Sequence, residues 1–183
     1  VFCLSVLVAV GLGGCGGVSG LNGTPGKTSW GSISVTRGQA GDFTAFLVNH
    51  SGGTVTLESA KLIPLKGFAT PRLRGMAIEP GRGFVGAGRG SPLAQSRIET
   101  VRFRGFKLRD GYRAQVLYAI AGPGVGRDYA AEGVVVSVRE GSSAATVKVI
   151  GPGGICVLKK LGDCSKTFEN RFTRAAQALA NAS

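Results

Sequence analysis

Side chains that could carry chemistry are scarce in this chain. It has one histidine, His50, one methionine, Met76, and ten carboxylates against 22 lysines and arginines. One His cannot build a multi-histidine metal site, and one Met gives no copper-type thioether cluster. His50 begins His50-Ser51-Gly52-Gly53, a turn signal, and no nucleophile is marked beside it for a general base to activate. The sequence contains no G-x-S-x-G, S-x-x-K or H-E-x-x-H. Asp42, Asp110 and Asp163 adjoin glycine, where side-chain-to-backbone turn bonding accounts for them. Asp128 and Glu132 flank an expected loop and give no assignable acid pair for glycoside hydrolysis. No cofactor, metal or catalytic residue is expected, and a binding module is favoured. An enzyme, or an enzyme accessory acting on a cell envelope, is the alternative.

Aromatics are also few, at 7% of residues, whereas glycine occurs 31 times. That balance favours many turns and strands over long helices. One glycine stretch, Gly81-Arg82-Gly83-Phe84-Val85-Gly86, satisfies G-x-G-x-x-G literally. A dinucleotide site would need a helix to follow, and Pro92 with its polar surroundings argues against one.

Alternation of apolar and polar residues marks the strands. Ile33 and Val35 alternate with serines, and residues 42–49 are apolar on both faces, as in a central strand. Val55 and Leu57 open a strand running to Leu65, so residues 42–65 read as a hairpin. Residues 66–96 read as loops around one short strand at Met76-Ala77-Ile78. The pattern on Val101 and Phe103 changes phase at Gly105, a bulge or a strand end. Tyr112, Ala114, Val116, Tyr118 and Ile120 share one face of the clearest strand. Val134, Val136 and Val138 form another, Ala145, Val147 and Val149 return against it, and Ile155, Val157 and Leu158 read as a last short strand. Residues 168–180 have helical periodicity, with Thr167 as N-cap.

This is the pattern of an all-β antiparallel β-sandwich with a short C-terminal helix. Its strand rhythm resembles the immunoglobulin-like domains of small secreted bacterial proteins. It departs from antibody domains in lacking their Cys…Trp…Cys core, since Trp30 precedes the strands. The sandwich is expected at 31–165, with a helix and tail at 166–183.

Residues 1–10 are apolar apart from Ser5, and Gly11-Leu12-Gly13-Gly14-Cys15 follows. Such a run is too short for a bilayer, which needs roughly 20 residues, but fits the apolar core of a secretory signal. No basic region precedes it and the chain begins at Val1, so residues are expected upstream. Leu12-Gly13-Gly14-Cys15 resembles the lipobox of bacterial lipoproteins. The resemblance implies a signal peptide at 1–14, cleavage before Cys15, lipidation of its thiol at the head of a flexible tether at 15–30, and attachment to the extracytoplasmic face of a bacterial membrane. Two or more acyl chains anchor stably where one is marginal. Cys3 then falls in the removed segment, which leaves Cys156 and Cys164. An even pair in an exported chain reads as a disulfide, and C-x7-C is not a zinc spacing.

The net charge is +12. Ten of the bases, Arg72, Arg74, Arg82, Arg89, Arg97, Arg102, Arg104, Lys107, Arg109 and Arg113, lie between positions 72 and 113 against three acids, Glu79, Glu99 and Asp110. The bland reading is ordinary solvated arginine; the functional one is attraction to anionic lipid or wall polymer, or a protein partner. No nucleic-acid motif is present. Radiolabelled fatty acid is expected to enter the full-length precursor and not a Cys15→Ala variant; equal labelling of both would exclude the anchor.

Overall fold

A computed structural model describes residues 18–23, 30–79, 88–89 and 100–182. Cys15, Arg82, Arg97 and the glycine motif of 81–86 lie outside the described residues.

The strands are β1 (Leu21–Asn22), β2 (Gly31–Thr36), β3 (Gly41–Asn49), β4 (Val55–Pro64), β5 (Arg72–Glu79), β6 (Gly88–Arg89), β7 (Val101–Arg102), β8 (Lys107–Leu108), β9 (Arg113–Ala121), β10 (Asp128–Glu140) and β11 (Ser143–Leu158), followed by the helix α1 (Lys166–Asn181). They form two sheets. Sheet one has the order β1-β3-β9-β5-β7, with β6 also on β3, and sheet two the order β2-β11-β10-β4-β8. The pairings are antiparallel except that of β2 with β11, which is parallel. The chain is therefore an all-β sandwich with a C-terminal helix. The groupings β1-β3-β9-β5 and β4-β10-β11 follow the order of the two sheets in immunoglobulin-like domains.

The alternation read from the sequence packs the inner faces. Phe43, Ala45 and Leu47 of β3, and Val116, Tyr118 and Ile120 of β9, meet Val134, Val136 and Val138 of β10 and Val149, Ile155 and Val157 of β11 in one buried cluster. Two expectations about pairing need correction. Residues 42–65 are not a hairpin: β3 pairs with β9 in sheet one and β4 with β10 in sheet two, so the turn at 50–54 carries the chain across the sandwich. Alternation reports a buried face and is silent on which partner shares it. Gly105 is a strand end of the same kind, with φ +85°, passing the chain from β7 in sheet one to β8 in sheet two.

The C-terminal strands also differ from expectation. Residues 155–158 are not a separate strand but the end of β11, which runs unbroken from Ser143 to Leu158. The pairing of β10 with β11 shifts between Ala131 and Gly133, so Gly151-Pro152 sits in an irregularity where proline's missing N–H disturbs the ladder least. Gly133 there has φ +150°, which side chains rarely adopt. At Gly151 a Cβ would lie 2.4 Å from the Thr44 carbonyl oxygen of sheet one. Two sheets normally stand about 10 Å apart, so β11 bends onto β3 here. The fully buried Tyr118 of sheet one donates its hydroxyl hydrogen to the Gly151 carbonyl of sheet two. Met76-Ala77-Ile78 likewise belongs to a longer strand, β5.

The helix α1 packs on the outer face of sheet two. Phe168, Phe172 and Ala176 are buried with Ala130, Leu65 and the Cys156–Cys164 disulfide, and Trp30 and Phe68 close the cluster. The disulfide joins the end of β11 to the helix start and closes a separation of eight residues. A loop that short stabilises by roughly 2–3 kcal/mol on the chain-entropy model. The N-cap is Ser165 rather than Thr167: its Oγ accepts from the Phe168 N–H at 3.1 Å. No described helix is long and apolar enough to cross a membrane.

Connections 37–40, 65–71 and 122–127 meet at one end of the sandwich, the first end, and 50–54, 109–112 and 141–142 at the other, the second end.

Burial disfavours the Tyr118 phenolate and raises its pKa well above the ordinary tyrosine value. A proton retained by the folded state and lost by the unfolded one stabilises fully below about pH 10, and that stability is lost as pH rises from there, by up to about 1.4 kcal/mol per pH unit. Tyr118→Phe is expected to cost about 1–3 kcal/mol at neutral pH by stranding a buried carbonyl, and to remove that alkaline slope. Urea unfolding at pH 7 and above pH 10 measures both. Parallel alkaline losses in the two proteins would exclude Tyr118 as the cause.

Candidate functional site

Most of the described acids are already engaged. No loop lies between Asp128 and Glu132: both lie on β10, Asp128 paired with Arg171 of α1 at 2.9 Å and Glu132 with Lys148 of β11 at 2.9 Å. Glu58 and Arg139 pair across neighbouring strands at 2.6 Å. The Asp110 carboxylate accepts from the Gly52 N–H at 2.9 Å, and Glu140 from the Ser51 hydroxyl at 3.2 Å. His50 is exposed in the turn after β3. Among the described residues no group of three His, Cys, Asp or Glu side chains comes together as a metal site would require.

Asp42 is not a turn residue. It is fully buried in β3 on the outer face of sheet one, where Thr44, Gln115 and Glu79 are buried too. Registers Phe46↔Gln115 and Glu79↔Gln115 set Gln115 between the other two. Asp42, Thr44 and Glu79 each interact with another group. These polar side chains share the face with the buried Phe46, Ala77 and Leu117, in keeping with a strand read as apolar on both faces.

Those of the ten bases between 72 and 113 that are described do not form one surface. Arg89 is structural: its Nε donates to the Ser34 carbonyl at 3.0 Å and its Nη2 to the Ser34 hydroxyl at 3.1 Å, tying β6 of sheet one to β2 of sheet two. The Arg113 guanidinium stacks over the Phe46 ring, 3.6 Å from its centre. Arg102, Arg104, Lys107 and Arg109 are exposed along the edge where the chain passes from β7 to β8. That link is fastened to β4, with the Gly105 N–H donating to Leu57 and the Leu57 N–H to Phe106. At the second end, the buried Asn49 amide donates to the Gly53 and Leu108 carbonyls, both at 2.8 Å, and its Oδ1 accepts from the Ser51 N–H.

Arg72 and Arg74 lie at the first end instead, beside Arg37. The three arginines, with Gly38, Ala121, Gly122 and Pro123, line a cleft of about 230 Å³ that has no acidic residue among its described lining. Each arginine is exposed, and none pairs with a described carboxylate. Pairing of Arg72 with Ala121 fixes β5 against the 122–127 turn, and the tight turn after β2 delivers Arg37. Sequence reading included Arg72 and Arg74 but missed Arg37. An Arg-Gly step after a strand is ordinary, and only the fold brings it to positions 72 and 74.

No family model matches the chain, and no curated protein matches it. Among solved structures it is similar to the ASH/PapD-like domain of human CEP192 (PapD-like domain 7), at 9% identity over 87% of this chain and 98% of that one, with a TM-score of 0.40. A family 123 glycoside hydrolase from Clostridium perfringens is similar at 13% identity, over 73% of this chain and 23% of that one, with a TM-score of 0.35. The strand order of the chain, independently of these likenesses, establishes the sandwich.

Structural and solvent-facing arginines should separate in stability measurements. Arg89→Ala is expected to lower stability by about 1–2 kcal/mol through loss of charge-assisted bonds, partly screened by solvent. Arg72→Ala and Arg74→Ala should stay within about 0.5 kcal/mol of the parent. If the latter two cost as much as Arg89→Ala in urea unfolding, the cleft arginines serve the fold.

Proposed function

We propose that the protein is a lipoprotein, anchored through Cys15 to the extracytoplasmic face of a bacterial membrane, whose sandwich is a non-catalytic module for binding an anionic envelope component. The observation that carries the reading is the lipobox Leu12-Gly13-Gly14-Cys15 together with a disulfide in the domain behind it. Disulfides persist in exported proteins and are rare in reducing cytosol.

The path of the chain after Cys15 supports a defined orientation. Val18 packs on the core, and Leu21 of β1 pairs with Asn49 at the second end. Part of the segment read as tether is therefore a strand. Two residues, Gly16 and Gly17, separate Cys15 from Val18, and these three residue steps reach at most about 11 Å. A lipidated Cys15 would hold the second end close to the bilayer. The exposed Tyr112 stands there between Arg109 and Arg113, and Arg104 and Lys107 lie on the adjoining edge. A ring with a polar tip flanked by cations suits an anionic lipid interface. The ion-paired acids and the lone exposed His50 favour binding over catalysis.

Vesicle co-sedimentation of the full chain carrying Cys15→Ala isolates the basic surface from the anchor. Binding to vesicles with anionic phospholipid is expected to fall steeply with salt, because exposed charges are screened. Adding Arg102→Gln, Arg104→Gln and Lys107→Gln should weaken it roughly a hundredfold, at about 1 kcal/mol per base near the surface. Binding unchanged by these substitutions would exclude the basic edge as the contact.

A further inference from the structure

We infer that the cleft lined by Arg37, Arg72 and Arg74 is a binding site for a phosphomonoester group carried by a molecule outside the anchoring bilayer. Three arginines from two separate parts of the chain line one concavity, with no acidic residue among its described lining. Gathering like charges opposes folding unless an anion offsets their repulsion. Elsewhere Arg89 and Arg113 are committed to Ser34 and Phe46 and Arg139 and Arg171 to carboxylates, while Arg102, Arg104, Lys107 and Arg109 are spread along the β7–β8 edge.

Size and charge select the ligand class. A cleft of about 230 Å³ is smaller than the roughly 300–1,000 Å³ that accommodates a drug-sized molecule, so it takes a compact group or the end of a chain. A carboxylate offers two oxygens and one charge. A phosphomonoester offers three terminal oxygens and about −1.5 to −2 charges at neutral pH, which matches three guanidinium forks, each able to donate in pairs. Ala121 and Pro123 give the wall an apolar strip for the carbon bearing the ester.

The source of the phosphate, unlike its chemistry, rests on the proposed anchor. Cys15 would hold the second end near the bilayer, and the cleft is at the first end. It therefore faces away from the anchoring lipid, toward phosphorylated polymers or soluble esters of the envelope.

Equilibrium dialysis of radiolabelled inorganic phosphate against the full chain carrying Cys15→Ala tests the site. Saturable binding is expected, displaced by glycerol phosphate and not by acetate at equal ionic strength. Arg37→Gln, or Arg72→Gln with Arg74→Gln, should weaken it about tenfold for each guanidinium removed. Arg104→Gln with Lys107→Gln, at the other end, should leave it intact. Absent binding, equal displacement by acetate, or indifference to the cleft substitutions would overturn the site. With the lipidated full chain reconstituted into vesicles, phosphatidic acid in the same bilayer should leave the bound phosphate in place; displacement by it would overturn the assignment to a non-lipid source. None of these results bears on lipidation of Cys15, which fatty-acid labelling decides separately.

Discussion

The contact between Tyr118 and Gly151 governs how the two sheets of this sandwich meet. Burying a phenol hydroxyl without a partner costs about 1–3 kcal/mol, so the hydroxyl must find an acceptor inside the core. It finds one because β11 bends at Gly151-Pro152 and presents a carbonyl to sheet one. The bend depends on absent side chains. A Cβ at Gly151 would strike the Thr44 carbonyl, and one at Gly153 would lie 2.4 Å from the Phe43 ring. Beyond the bend the strand continues to Cys156, Gly154 admits Phe172 and Phe168 of α1, and residues 153–158 pair with β2. Helix position, disulfide and parallel edge all follow from the course that β11 takes there.

Charge is organised by the same architecture. Among the described residues the chain crosses between the sheets at an end or along an edge, and two sets of exposed bases lie at those places. One set follows the β7–β8 edge, across sheet one from the N-terminal strand β1, and the other lines the cleft at the first end. Were the domain tethered through Cys15 as proposed, it could meet two different surfaces without moving, one along that edge and one at the far end.

The fold class was legible because alternation records burial directly. The strands of residues 113–121 and 128–140 announce themselves through valine, tyrosine and isoleucine on one face. What stayed hidden depends on partners. Whether β3 turns back on itself or crosses to the other sheet is decided by β9 and β10, which lie far along the chain. Asp42 beside a glycine has the local look of a turn, yet the strand continues through it into the interior. The cysteine pair was readable from number and compartment, whereas the cleft was half visible: Arg72 and Arg74 are neighbours in sequence and Arg37 is not.

The parallel pairing of β2 with β11 has a consequence for the order of assembly. Residues 31–36 are held by residues 153–158, so an early strand waits for one of the last. Until β11 is available, β10 and β2 have no common neighbour and sheet two has a gap at its second position. Contacts of such long sequence separation form slowly, because loop closure comes before the stabilisation it allows. A polypeptide threaded across a membrane from its N-terminus would remain open for nearly its whole passage. It would close only when its final strand and helix arrived on the far side.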